Sequence, residues 1–133
     1  GMHHWGASLV IVMMFLHTLR VFFTGSYKKP RELNWIVGVG IFGVMMGLGF
    51  TGYLLPWDMK ALFATKVGIE IAASVPFIGE YIKILLAGDS TILGAQTLTR
   101  FFAIHVFFLP AALFALLAAH FIMIRRQGIS GPL

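Results

Sequence analysis

Cysteine is absent from the 133-residue chain, and only 11% of its residues are charged. Without cysteine, this stretch can form no disulfide, ligate no iron–sulfur cluster and hold no cofactor through a thioether bond. A soluble domain averages about 25% charged residues, whereas 59% of this chain is hydrophobic. The composition therefore excludes an ordinary soluble domain and indicates a membrane protein.

Three long apolar runs, at residues 5–24, 35–57 and 101–124, hold most of the hydrophobic residues. A helix needs about 20 residues at 1.5 Å each to cross the hydrocarbon core, and each run is long enough. We therefore predict an all-α transmembrane helical bundle of three spans, forming a single membrane domain over residues 1–133. Because the first run starts almost at Gly1, we expect the sequence to be a fragment of a longer protein.

Basic residues mark the short segments beside the runs. The loop 25–33 holds Lys28, Lys29 and Arg31, and two arginines follow the third run. By the positive-inside rule, this loop and the C-terminus should lie in the cytoplasm, and the connection 58–97 outside. Runs one and three then cross the membrane in the same direction. The net charge of +5 is explained by this topology, so we expect no binding to nucleic acid.

The long connection 58–97 contains two further helical segments. Residues 59–75 and 79–88 are each too short or too charged to cross a membrane. We predict that they are amphipathic helices lying on the membrane surface, separated at Pro76 and Gly79.

Four histidines form two pairs along the first and third helices. His3 and His17 are 14 residues apart, and His105 and His120 are 15 apart. At 100° per residue, these spacings fall within about 40° and 60° of whole turns, so each pair should share one broad helix face. Since the two helices are predicted to be parallel, His3 should face His105 near the outer surface and His17 should face His120 nearer the inner one.

Two facing histidine pairs in an apolar bundle predict two haems, each with two imidazole ligands to iron. Gly38 and Gly52 of the second run are 14 residues apart and would let a flat ring approach the backbone closely; helix packing explains them equally well. A proton relay is the main alternative, but the three runs contain no Asp or Glu. The histidine spacing also differs from the i, i+3 or i, i+4 spacing of zinc sites.

Six motifs are spread along the chain: MHHWGAS, FLHTLRVF, KKPRELNW, TGYLLPWD, TLTRFFAIH and HFIMIRRQGISGPL. Together they resemble the haem-bearing N-terminal half of the cytochrome b family, in its split b6 form. The amino-acid sequences of these motifs are most similar to those of the menaquinol-oxidising members of the family from Firmicutes. The resemblance implies that the family's first helix is missing here, and that a further covalent haem would need a cysteine on that missing stretch.

The resemblance assigns the histidines to two b-type haems. It implies that His3 and His105 ligate the low-potential haem on the outer side, and that His17 and His120 ligate the higher-potential haem on the inner side. One departure concerns His4, which stands where the family usually has an arginine. A propionate or pocket contact of the outer haem is therefore in question.

The same resemblance implies roles for three arginines. Arg20 would pair with haem propionates, Arg100 would serve the outer haem or its surroundings, and Arg125 would lie by the inner haem and a quinone-reduction site. Each arginine also suits a plain anchoring role at the membrane interface.

The resemblance further implies an outer quinol-oxidation pocket walled by GYLLPW (52–57) and the segment after it. The candidate lining residues are Gly47, Phe50, Phe63 and Ala64, for which packing alone is an equally good explanation.

The function implied by the resemblance is electron transfer inside a quinol–cytochrome c or quinol–plastocyanin reductase, in which this chain is not active alone. Menaquinol or another quinol would be oxidised outside, and electrons would pass through both haems to quinone inside, with proton translocation. The implied partners are an iron–sulfur (Rieske) subunit, a subunit IV-like C-terminal half of cytochrome b and a cytochrome c subunit. The complex would be dimeric and embedded in the lipid of a bacterial cytoplasmic membrane.

Three other functions stay open at this point. A haem-free proton-path or transporter subunit would need another use for the histidines. A purely structural anchor predicts a colourless protein. A dihaem anchor of another respiratory dehydrogenase or hydrogenase would lack the GYLLPWD motif.

Overall fold

The computed structural model describes residues 1–88 and 92–131, and every regular element among them is helical. The end of the last motif, at 132–133, lies outside the described residues. The helices are α1 (Met2–Phe23), α2 (Glu32–Leu54), α3 (Met59–Ala73), α4 (Gly79–Ala87), α5 (Ala95–Ala103) and α6 (Leu109–Gln127), with a π-helical turn at Ile104–Phe108. The all-α prediction is therefore confirmed.

Three helices are long and apolar enough to span a membrane. They are α1, α2 and the continuous stretch Ala95–Gln127, with mean hydropathies of 1.8, 1.8 and 2.3 over their most apolar windows. These windows are 0%, 0% and 6% buried inside the chain, so nearly all of their apolar side chains are left for lipid or another partner. The three predicted spans are confirmed and the protein is an integral membrane protein; the third helix starts at Ala95, before the predicted run.

The first helix ends at a Schellman motif. Gly25 has a left-handed φ of +64°, which costs glycine little because it has no Cβ. Its N–H donates to the carbonyl of Phe22, and the N–H of Ser26 donates to the carbonyl of Val21. These bonds satisfy the last carbonyls of α1 and turn the chain toward α2.

The described chain forms two compact units, Gly1–Gly49 with Pro110–Leu133, and Phe50–Leu109. In the first unit, the contacts join Ile11 to Gly49, Phe15 to Phe42, and Gly40 to Leu116. Residues later in α1 contact residues earlier in α2, so these two helices are antiparallel. Gly38 and Gly40 likewise contact His120 and Leu116 of α6, so α2 and α6 are antiparallel. Helices α1 and α6 are therefore parallel, as the charge pattern predicted.

The second unit contains the buried core. Leu54, Ile69, Ala87 and Phe101 pack together, each with at most 5% of its surface exposed. Asp58 is the N-cap of helix α3, and its carboxylate accepts a hydrogen bond from the backbone N–H of Ala61 at 2.8 Å, as an N-cap should. The two helices predicted in the connection 58–97 are confirmed as α3 and α4. Their location on the membrane surface stays a prediction.

Candidate functional site

The clearest site in the first unit is a pair of imidazole rings from parallel helices. His17 of α1 and His120 of α6 have ring centroids 6.4 Å apart, with the ring planes at 80°. A metal ion lies about 2 Å from an imidazole nitrogen, so two rings on opposite sides of one ion have centroids about 6 Å apart. The observed separation therefore suits two ligands of a single metal.

A cavity of about 290 Å³ adjoins this pair, and most of its wall surface is apolar. Besides the two histidines, the polar residues on its wall are Thr18, Arg20, Ser26, Tyr27, Arg31, Asn34 and Ser130. They come from the C-terminal half of α1, the loop after it, the first turn of α2 and the segment after α6. The cavity thus combines a metal-ligand pair with an apolar body and one cationic, hydroxyl-rich portion.

Gly38 lies where the second helix approaches the His120 ring. A Cβ at Gly38 would be 3.6 Å from Cε1 of His120, an ordinary contact distance, so the missing side chain leaves open space between the ring and the backbone of α2. Within the described residues, His120 Nδ1 and Asn34 Oδ1 are buried without a hydrogen-bond partner. Buried polar atoms are nearly always paired, so these orphaned atoms indicate that another group completes the site. A haem, with a flat apolar ring, an iron that takes two imidazoles and anionic propionates, fits these residues.

A second histidine site belongs to the other unit. His105 lies in the π-helical turn Ile104–Phe108, and its Nδ1 is 3.0 Å from the hydroxyl of Thr51. A Cβ at Gly52 would be only 2.8 Å from Cε1 of the same ring. Single π turns inside α-helices occur frequently at functional sites. The structure thus brings His105 directly against the end of α2.

The partner predicted for His105 lies in the first unit. His3 is an exposed residue of the first turn of α1. Its pairing with His105 would join residues of the two units and stays a prediction. The prediction that His105 and His120 lie within about 60° of one another around the helix assumed a regular α-helix. The π turn changes the number of residues per turn, so that assumption does not hold.

The three predicted arginines lie in different surroundings. Arg20 lines the cavity beside His17. Arg100 donates from Nη1 to the carbonyls of Ile84 and Leu85. Arg125 is exposed and is not among the residues that line the cavity. Their roles toward a haem stay predictions.

Sequence reasoning missed the cavity residue Arg31, whose Nε donates to the carbonyl of Gly128 at 3.4 Å. It also missed Ser26 and Ser130, whose hydroxyls are 2.6 Å apart. Their contact joins positions 104 residues apart in sequence, so no local pattern could have found it. Asn34 offered a signal, since it is a polar residue next to a long apolar run.

Three of the four residues predicted to line a quinol pocket belong to the second unit. Phe50 lays its ring against Gly68, and Ala64 packs on the core of the second unit. Phe63 is 60% exposed and lines a cavity of about 770 Å³ between α3 and α4. Gly47 belongs to the first unit. Their part in quinol binding stays a prediction.

Together these features define a class: a helical membrane protein with paired imidazoles in an apolar cavity. Among the residues that the structure describes, no group of three or more His, Cys, Asp or Glu could hold a metal ion. Residues 8–133 match the family model described as "Cytochrome b(N-terminal)/b6/petB". The chain belongs to this cytochrome b N-terminal/b6 family.

Characterised relatives agree with this assignment. The chain is 84% identical, over all 133 residues, to the menaquinol:cytochrome c reductase cytochrome b subunits of Geobacillus thermodenitrificans and Bacillus subtilis (strain 168). It is 48% identical over the same length to cytochrome b6 of Heliobacterium mobile. The chain spans 59% of the first two proteins and 62% of the third. The resemblance noted from the motifs is therefore confirmed.

Proposed function

We propose that this chain is the haem-bearing, electron-transferring part of a quinol-oxidising membrane complex. The observation that carries the proposal is the pair His17–His120, whose rings are 6.4 Å apart on parallel helices beside an apolar cavity. Haem, when bound, supplies reversible one-electron chemistry. Everything else in the proposal concerns what the residues of this chain do.

At the inner site, His17 and His120 would hold the haem through its iron. Gly38 leaves open space beside the His120 ring, so a flat macrocycle could lie close to α2. Arg20 and Arg31 would bind the propionates, because a guanidinium forms strong charge-assisted hydrogen bonds with a carboxylate. The apolar wall excludes water and lowers the local dielectric, which tunes the potential of a metal centre.

At the outer site, we propose that His3 and His105 are the ligands and that Gly52 provides the clearance. Arg100 would serve the surroundings of this site through α4, whose carbonyls it binds. The chain would thus hold two b-type haems. A third, covalently bound haem would require a cysteine outside these residues, since the sequence has none.

We propose that the complex resembles that of the relatives. Its quinol would be menaquinol, as in the names of the two relatives at 84% identity, and oxidation would occur at the outer side with proton translocation. An iron–sulfur subunit, a C-terminal cytochrome b half and a cytochrome c subunit would complete a dimer. The loop 25–33 and the C-terminus would face the cytoplasm of a bacterium, because their basic residues obey the positive-inside rule.

A haem-free proton path is the alternative with a physical basis. Proton relays through membranes use chains of carboxylates and histidines. None of the described residues lining the inner cavity is Asp or Glu. The cavity chemistry therefore favours the haem.

The test is a reduced-minus-oxidised visible spectrum of the full-length protein, with the haem-to-protein ratio from pyridine haemochrome. We expect about two b-type haems per chain. His17→Leu should remove one and leave the other, because it deletes one ligand of one pair. His4→Leu is the matched control, since the His4 ring meets Trp5 edge-on and is not a predicted ligand, and it should keep both. A colourless wild-type protein, or loss of both haems in His17→Leu, would contradict the proposal.

A further inference from the structure

We propose that Thr51 is a positioning residue that sets the tautomer and orientation of His105. The inference rests on the proposed function, because it assigns His105 as a haem ligand. It gives a role to Thr51, which opens the motif TGYLLPWD but was not among the predicted site residues.

The geometry that supports it lies entirely inside the second unit. The Thr51 hydroxyl is 3.0 Å from Nδ1 of His105, within normal hydrogen-bond distance. Thr51 is only 5% exposed, so water does not readily compete for the bond. The two residues are 54 positions apart, which makes this a contact between elements.

Other threonines of the chain show the usual alternative. The hydroxyls of Thr18, Thr65 and Thr99 each donate to the carbonyl four residues earlier, a local bond common in helices. The hydroxyl of Thr51 reaches an ionisable ring on another element. Its oxygen can accept a hydrogen bond from Nδ1–H while its own O–H donates to another acceptor.

The chemical consequence concerns which imidazole nitrogen is free to bind metal. If Nδ1–H donates to Thr51, the lone pair lies on Nε2, which then becomes the ligand atom. The same bond makes the imidazole a stronger donor to the metal and fixes the rotation of its ring. Gly52 restrains the ring from one side, since a Cβ there would be 2.8 Å from Cε1. Thr51 and Gly52, adjacent at the end of α2, therefore restrain both the tautomer and the position of His105.

The experiment compares Thr51→Val, Thr51→Ala and Thr51→Ser in the full-length protein within its complex. Thr51→Val keeps the side-chain shape and removes the hydroxyl. Thr51→Ala also removes the hydroxyl and shows whether an effect of Thr51→Val comes from the packing of valine. Thr51→Ser keeps a hydroxyl at this position. Thr99→Val is the control, because Thr99 is exposed and its hydroxyl donates to the carbonyl of Ala95 in its own helix. The readouts are haem occupancy, the midpoint potential of each haem in a redox titration, and the low-spin ferric EPR signal, which reports ligand-ring orientation.

We expect Thr51→Val and Thr51→Ala to raise the midpoint potential of one haem, because a less basic ligand stabilises ferric iron less. Affinity for that haem should fall about tenfold, the lower end of the effect of losing an outer partner of a metal-binding histidine. The EPR signal of the same haem should shift, and Thr51→Ser should restore all three values. The second haem should be unchanged in every variant and thus reports correct folding.

Unchanged potential, occupancy and EPR signal in both hydroxyl-deletion variants would overturn the inference. Equal shifts of both haems would also overturn it, because a general loss of packing would then be the cause. A wild-type protein without haem would overturn the proposed function instead, and this result is visible before any variant is made.

Discussion

At the scale of single residues, two glycines of one helix meet histidine rings at different distances. A Cβ at Gly38 would be 3.6 Å from the ring of His120, which is an ordinary van der Waals contact, whereas a Cβ at Gly52 would be 2.8 Å from the ring of His105. The second distance is too short for real atoms, so the ring or the helix would have to move. The His105 ring is also held by Thr51, which limits its freedom to move away.

The residue-scale prediction follows from this difference. Gly52→Ala should displace the His105 ring and lower the occupancy of one haem, whereas Gly38→Ala should have a smaller effect. Overpacking of this kind costs about 1–3 kcal/mol. Haem content and the EPR signal measure the displacement directly.

Gly43→Ala is the matched control on the same helix. A Cβ at Gly43 would meet nothing within 4 Å, so this change should leave haem content unaltered. Equal losses in Gly43→Ala and Gly52→Ala would show that the helix, and not the ring contact, is sensitive.

At the scale of elements, α5 supplies the partners for the carbonyl end of α4. The hydroxyl of Thr97 donates to the carbonyl of Ala87 at 2.8 Å, and Arg100 donates to the carbonyls of Ile84 and Leu85. The last carbonyls of a helix have no partner within the helix, and a cation there also opposes the negative end of the helix dipole. Arg100 therefore stabilises the second unit independently of any bound group.

The element-scale prediction concerns Thr97, which has 0% exposure. Thr97→Val should leave the carbonyl of Ala87 buried without its partner and lower the free energy of unfolding by about 1–3 kcal/mol. Amide hydrogen exchange in α4 should quicken, because its last turn would fray. Thr99→Val removes a hydroxyl from an exposed position of the same helix and should change stability by at most about 0.5 kcal/mol. Similar losses in the two variants would refute the role of the Thr97 bond.

At the scale of the whole molecule, the charge pattern and the helix directions lead to one topology. The contacts of α2 with α1 and with α6 show that α1 and α6 are parallel. The basic loop 25–33 and the residues after α6 therefore lie at one end of the first unit, where the hydroxyls of Ser26 and Ser130 meet at 2.6 Å. That end should be cytoplasmic.

The topology prediction can be tested with single cysteines, since these residues contain none of their own. Lys29→Cys and Lys60→Cys place thiols at exposed positions, one in the basic loop and one at the start of α3. A membrane-impermeant maleimide added outside sealed cells should label Lys60→Cys alone. Inverted vesicles should label Lys29→Cys alone.

Both variants should be labelled fully once detergent opens the membrane, and the parent protein gives the background. Labelling of both thiols from the same side would contradict the topology.

Much of this architecture could be predicted from the sequence because it depends on local properties. Length and apolarity determine which segments span a membrane, and proline and glycine determine where α3 and α4 separate. The pairing of His17 with His120 could also be anticipated, because the charge pattern predicted that their helices are parallel. The π turn at Ile104–Phe108 had no local signature, since it changes the period on which such reasoning depends.

The sequence by itself determined the class of protein, the number of spans, their directions and the histidines that could bind metal. These properties follow from hydrophobicity, charge and helical period, which act over neighbouring residues. Only the tertiary structure decided that Thr51 bonds His105, that Arg31 shares a cavity with His17, and that Arg100 binds the end of α4. Each of these contacts joins residues far apart in the chain, and their meeting depends on how helices pack. No pattern along a single helix encodes it.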